Sequence, residues 1–287
     1  MDCIWHLFGT STRNDHLCEA VKKGDLEKVR ILLAHGANIN CTDHKTNFGQ
    51  SPLILASYGG HLKVVKELLA HRPRIDQADR RMNRTSLYWA SVHGTLEIVN
   101  ELLAHGANAN TIDWVRQDCT IDDTIEEASS AMHFDLHVGL NGRAPLRVAA
   151  SSGHTEIVKE LLDHGASVEP VDKVQPAPEN SFYGYLEIIN ELLAHGVPLD
   201  VGGKNGYTPL HAASLRGQLG ALRLLLNAGA DPSLKNEHGD TARDCGDDEV
   251  KTFFDNYPNI DENILETKAM TERKQASKLP PRFYFPI

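Results

Sequence analysis

Fifteen histidines and five cysteines are the residues of this chain best equipped for metal binding or nucleophilic chemistry, and their spacing decides whether either is available. His35, His71, His105, His164 and His195 fall at one recurring place, each just before a helix-ending residue. Ligands of one ion must all lie about 2 Å from it, so these five imidazoles read as one structural choice copied along the chain. Cys18 and Cys41 have His16 and His44 nearby in sequence, but proximity in sequence does not set a nucleophile against a base. The cysteines at 3, 18, 41, 119 and 245 are widely separated and include no CxxC pair, which argues against a zinc module and against a disulfide framework. GxxxxGK[ST], GxSxG, HExxH and a strand-to-helix GxGxxG are all missing. No catalytic residue, metal ligand or cofactor is expected.

What the chain does contain is a repeated unit. Six segments align: DLEKVRILLAHG (25–36), HLKVVKELLAHR (61–72), TLEIVNELLAHG (95–106), HTEIVKELLDHG (154–165), YLEIINELLAHG (185–196) and QLGALRLLLNAG (218–229). Their last residues are 36, 34, 59, 31 and 33 positions apart, so the long interval is about one period plus 26. Within each, apolar residues recur with a helical period: Leu96, Val99, Leu102 and Leu103 form one stripe, while Glu97, Asn100 and Glu101 face away. A shorter helix is predicted ahead of it in SPLILASYGG (51–60), TSLYWASVHG (85–94), APLRVAASSG (144–153) and TPLHAASLRG (208–217). There Ser or Thr suits the N-cap and Pro the first helical position, where its missing N–H does no harm. Glycine supplies the left-handed residue that closes these helices, except at Arg72.

On these residues the chain resembles the ankyrin repeat family, most fully in TPLHAASLRGQLGALRLLLNAGADPSLKNEHG (208–239). The resemblance covers roughly residues 15–255. It implies an all-α ankyrin-repeat solenoid of stacked helix pairs with β-hairpin-like fingers, about six repeats plus a C-terminal cap. It further implies binding of another protein along the concave face made by first helices and finger tips. Carried onto this sequence, the binding positions are Tyr58, Val92, His93, Leu215 and Arg216, with finger residues His44, Lys45, Arg80, Arg81, Trp114 and Arg116. The resemblance also gives His211 a backbone-bonding role between repeats. Ile54, Tyr88 and Arg147 stand in the equivalent places and leave that network incomplete. Asn40 and Asn110 occupy the finger position that asparagine hydroxylases modify in some members.

Departures from the repeat set the domain plan. Residues 1–14 are read as an N-terminal segment, 15–257 as the repeat domain and 258–287 as a tail. HLCEAVKKGDLEKV (16–29) reads as an N-terminal cap and the polar GDTARDCGDDEVKTFFDNY (239–257) as its C-terminal counterpart. Arg72-Pro73 replaces Gly-Ala after the second repeat and predicts a distorted connection, because a non-glycine residue with positive φ costs about 1 kcal/mol. The same stretch holds Arg72, Arg74, Arg80, Arg81 and Arg84, a cluster suited to an acidic partner segment. Residues 117–140 form an acidic insertion without Lys or Arg, read as a flexible extension of a finger, with folding back to mask those arginines as the alternative. In the degenerate repeat 172–204, Pro176 and Pro178 predict a loop or single turn across 174–184.

The formal charge of −10 disfavours nucleic acid and anionic membrane as general partners, since both reward an excess of Lys and Arg. No stretch approaches the roughly 18 apolar residues of a membrane span. The reading is a monomeric, non-catalytic scaffold or adaptor in the cytoplasm, with the nucleus as second compartment. The runner-up is the substrate-recognition subunit of a ubiquitin ligase complex.

Overall fold

The structure, a computed structural model, describes residues 10–45, 48–113, 144–167, 182–202 and 204–257. The described residues divide into two compact units, one running up to Ser167 and the other from Phe182 onward. The described residues are helical and contain no strand; an isolated antiparallel bridge joins Lys235 to Thr241. The insertion 117–140, the tail 258–287, Pro176 and Pro178 lie outside the described residues.

Among the described residues of the first unit eight helices form four pairs: α1 (Thr10–Lys22) with α2 (Leu26–Ala34), α3 (Pro52–Tyr58) with α4 (Leu62–Ala70), α5 (Ser86–Val92) with α6 (Leu96–Ala104), and α7 (Pro145–Ser151) with α8 (Thr155–Asp163). First helices pack on first helices and second on second, α7 lying directly against α5. α1 is described from Thr10 onward. The short helices start as their sequences require: the Ser51 hydroxyl accepts from the Ile54 N–H, the Thr85 hydroxyl from the Tyr88 N–H, and prolines 52 and 145 sit in the first turn. The second helices bury paired stripes, Val64, Val65, Leu68 and Leu69 in α4 and Ile98, Val99, Leu102 and Leu103 in α6.

The second unit contains α9 (Phe182–Ala194), a short 3₁₀ turn (Lys204–Gly206), α10 (Pro209–Leu215), α11 (Leu219–Asn227), α12 (Ala242–Cys245) and α13 (Asp248–Asn256). Val250 and Phe254 of α13 close its core. The expectation for 174–184 needs correction at its end: Phe182, Tyr183 and Gly184 are helical and continuous with the segment that follows. No proline stands between Pro178 and Gly184, so none stops the helix from extending back past Gly184.

A polar stitch recurs between repeats. Six residues past each helix end, Asn40 Oδ1 accepts the Arg74 N–H (2.8 Å), Asp76 Oδ1 the Asn108 N–H (3.0 Å), Asn110 Oδ1 the Ser167 N–H (2.6 Å) and, in the second unit, Asp200 Oδ1 the Asp231 N–H (2.8 Å). Each satisfies a backbone donor that no helix or strand serves. The copied histidines also serve backbone: Nδ1 of His35, His105, His164 and His195 lies 2.7 to 3.0 Å from the carbonyl four residues earlier, which the same histidine's backbone N–H also reaches. His211 bonds backbone as the resemblance implied, its Nε2 3.1 Å from the Asp240 carbonyl. Tyr88 does not leave a gap in that network; its hydroxyl donates to Asp113 Oδ2 in the next finger (3.1 Å).

The Arg72-Pro73 connection keeps the turn of its neighbours. Arg72 adopts φ 52°, and its N–H bonds the Leu69 carbonyl (3.0 Å) as Gly36 bonds Leu33. The difference is a lost bond. Ala37, Ala107 and Ala166 each donate to the carbonyl five residues back, and Pro73 has no N–H for that purpose. Arg72→Gly should therefore raise the free energy of unfolding by about 1 kcal/mol, measured by urea denaturation, by removing the left-handed penalty.

Candidate protein-binding surface

The first helices of three repeats carry an aromatic cluster on the first unit. Ile54, Tyr88, Trp89 and Val148 are buried together, with Tyr58 and Val92 packed on them half-buried. The Tyr58 ring meets Trp89 edge-on at 5.1 Å and His93 at 4.8 Å, while His93 stacks flat on Trp89 at 6.0 Å. Burial on the tryptophan side, with His154 adding positive charge nearby, pulls the His93 pKa below the ordinary imidazole value. His93 is thus kept neutral near pH 7 and presents an aromatic rather than a cationic surface.

The fingers supply charge. His44 and Lys45 are exposed on the first finger, where Lys45 Nζ lies 3.2 Å from Glu19 Oε2. The Glu19 carboxyl, hydrogen-bonded by Lys23 and Lys45, is pushed down to about 2. The second finger docks on the first through the Arg80 N–H to the Phe48 carbonyl (2.8 Å), and the Arg81 guanidinium lies over the Phe48 ring at 5.2 Å. Gly49 makes that approach possible: at φ 60° a Cβ would stand 2.7 Å from Arg80 Cδ. Arg80 remains exposed and Arg81 half-buried.

Arg84 departs from the arginine cluster expected to meet an acidic partner segment. It is 6% exposed, its guanidinium 4.9 Å from the Tyr88 ring centre and 5.2 Å from that of Trp89, with Nε 3.5 Å from Asp113 Oδ2. A cation so enclosed by two rings and a carboxylate holds the second finger to α5 and is not available to a partner. Trp114 and Arg116 lie outside the described residues. Leu215 and Arg216 are exposed at the end of α10, in the second unit, and are described only within it.

Sequence reasoning did not single out Trp89, the centre of the aromatic cluster, or His61 and His154. These two histidines follow the glycine that ends a first helix, and each reaches back to the preceding repeat: His61 Nε2 lies 3.0 Å from the Lys22 carbonyl, His154 Nε2 3.2 Å from that of Val92. The signal was the recurring Gly-His at 60–61 and 153–154.

Sequence models of ankyrin repeats match residues 17–113, 141–173 and 192–245. The chain belongs to the ankyrin repeat family. Such repeats are protein-interaction modules and generally non-catalytic. Among curated proteins, the tyrosine-protein kinase HTK16 of Hydra vulgaris is 30% identical over 53% of this chain and 20% of its own length. The E3 ubiquitin-protein ligase XBAT32 of Arabidopsis thaliana is 29% identical over 80% of this chain and 39% of its own. The chain thus spans less than half the length of either relative. Among solved structures, the ankyrin repeat domain of Bcl-3 aligns at a TM-score of 0.61 and 25% identity, covering 84% of this chain and 97% of that one. No described helix is long and apolar enough to cross a membrane.

Asp79 gives the finger a pH signature. It is 4% exposed; Oδ1 accepts the N–H groups of Arg81 (3.1 Å) and Met82 (2.7 Å), while Oδ2 has no hydrogen-bond partner. Burial raises its pKa against the opposing backbone N–H groups and Arg84. The folded state therefore holds this proton more tightly than the unfolded state, and stability declines as pH rises from the ordinary carboxyl value through the raised one. In the last finger Asn236 fills the same place, its Oδ1 accepting the N–H groups of His238 and Asp240. Asp79→Asn keeps the acceptor and removes the charge. Denaturation at pH 7 should show a gain of about 1 kcal/mol that shrinks toward pH 4.

Proposed function

We propose that this chain is a non-catalytic scaffold or adaptor that holds a partner protein on the first unit, with apolar side chains of the partner against Tyr58, Val92 and His93 and an acidic segment along His44, Lys45, Arg80 and Arg81. Leu215 and Arg216 are a second contact of the same kind. The observation that carries the reading is the division of labour among the arginines: Arg84 is consumed by the fold, whereas Arg80 is left exposed beside Lys45's finger. Aromatic and arginine side chains are the types that dominate interface energetics. The acting form in this reading is a monomer in the cytoplasm or nucleus, with no nucleic acid or lipid ligand.

A second reading draws on a relative named as an E3 ubiquitin-protein ligase that aligns with 80% of this chain. In it the same surface selects substrates for a ubiquitin ligase complex. Co-purification of a cullin or elongin subunit with the full chain would favour it over a free adaptor.

The test is fluorescence anisotropy of a labelled Asp/Glu-rich peptide titrated with the full chain. Arg80→Glu with Arg81→Glu should weaken binding about tenfold or more and flatten its salt dependence. Glu19→Gln, which frees Lys45, should strengthen it. Unchanged affinity in the double variant would refute the acidic-segment reading.

A further inference from the structure

Two cysteines that are 23 residues apart in sequence meet inside the first unit. Cys18 lies on α1 and Cys41 on the first finger, each buried, with sulfur atoms 3.7 Å apart. Bond formation needs an approach of under about 2 Å, to the roughly 2.05 Å of a disulfide. The surroundings already join the same two elements: Lys22 Nζ on α1 lies 2.6 Å from Asp43 Oδ2, the Asn38 N–H donates to Asn14 Oδ1 (2.9 Å), and the Cys41 thiol points to the Asn14 carbonyl at 3.9 Å. Three independent contacts therefore hold the sulfur-bearing segments in register.

We propose that Cys18 and Cys41 are a redox modification site, closed to a disulfide by a peroxide-class oxidant and stapling α1 to the first finger. The roles of the two sulfurs differ. Either S–H can donate across the 3.7 Å gap, and donation from Cys18 favours the thiolate on Cys41. Cys41 is the attacking thiolate and Cys18 the resolving thiol. The Cys41 sulfur attacks one peroxide oxygen; the O–O bond breaks, and the departing hydroxide takes up the Cys41 proton as water, leaving a sulfenic acid. The Cys18 sulfur then attacks the Cys41 sulfur; the S–OH bond breaks, and that hydroxide leaves as water with the Cys18 proton. Two thiols lose two electrons to one peroxide, and two waters form.

Burial does not prevent access. Among the described residues α1 has neighbouring helices on one side only, α2 and α3, and terminal elements of a stack open at lower free energy than interior ones. The finger so stapled is the one that carries His44 and Lys45, so oxidation would also stiffen the basic part of the proposed binding surface.

The experiment uses the full chain with Cys3→Ser, Cys119→Ser and Cys245→Ser, reduced and then exposed to hydrogen peroxide, beside the unsubstituted chain treated identically in case the variant folds poorly. Peptide mapping without reductant should recover one cross-linked species joining the Cys18 and Cys41 peptides, lighter by two hydrogens and reversed by dithiothreitol. The oxidised chain should melt about 5 °C higher, since a 23-residue loop is closed in the unfolded state. Two thiols still open to alkylation, Cys41 oxidised to sulfinic acid beside a free Cys18, disulfides between chains, or equal melting of both forms would each overturn the proposal.

Discussion

A nine-residue amphipathic helix cannot stand alone in water, and most of this protein's second helices are that short. Nucleating a helix costs more than nine residues of propagation return, so each owes its existence to the apolar stripe it shares with neighbours. That constraint accounts for the architecture within each unit. Helices pack row against row, the stripes face inward, and the outer faces carry charge without consequence for the fold. Surface chemistry is thereby released from structural duty, which is what allows fingers and first helices to hold arginines and aromatics for a partner.

Packing sets which helices are neighbours, but the polar stitches set how each finger sits. Asn40, Asp76 and Asn110 tie one connection to the next, and His61, His154 and Tyr88 tie first helices to the repeats beside them. These bonds end on backbone or on buried carboxylates, where an unmet group would be costly. For Asn40 and Asn110 this gives the amide a structural role in the finger position that resemblance marked for modification. Pro198 stands at the receiving position of the fifth repeat and has no N–H to offer.

Much of this was legible in the sequence because each repeat states the same rule. Helix ends, caps and apolar stripes recur with one period, so the meaning of His105 could be read from His35 and His164. What was not legible is what depends on side chains meeting across that period. Arg84 looks like Arg80 in sequence, yet only the fold shows that Tyr88, Trp89 and Asp113 enclose it. Cys18 and Cys41 looked unrelated because their separation matches no motif, and the turn of one repeat brings them together. At Arg72 the reverse happened: the local rule predicted distortion, yet the residue takes the left-handed conformation and its N–H bonds Leu69 as its glycine counterparts do.

Helix pairs in this fold are stable only through their neighbours. Hydrogen exchange of backbone amides in a Leu102→Ala variant tests this most directly, because Leu102 is fully buried in α6 and its truncation costs about 3 kcal/mol. The account predicts lost protection in α4 and α8 as well as in α6. Loss confined to α6, with α4 and α8 exchanging as in the unsubstituted chain, would contradict it.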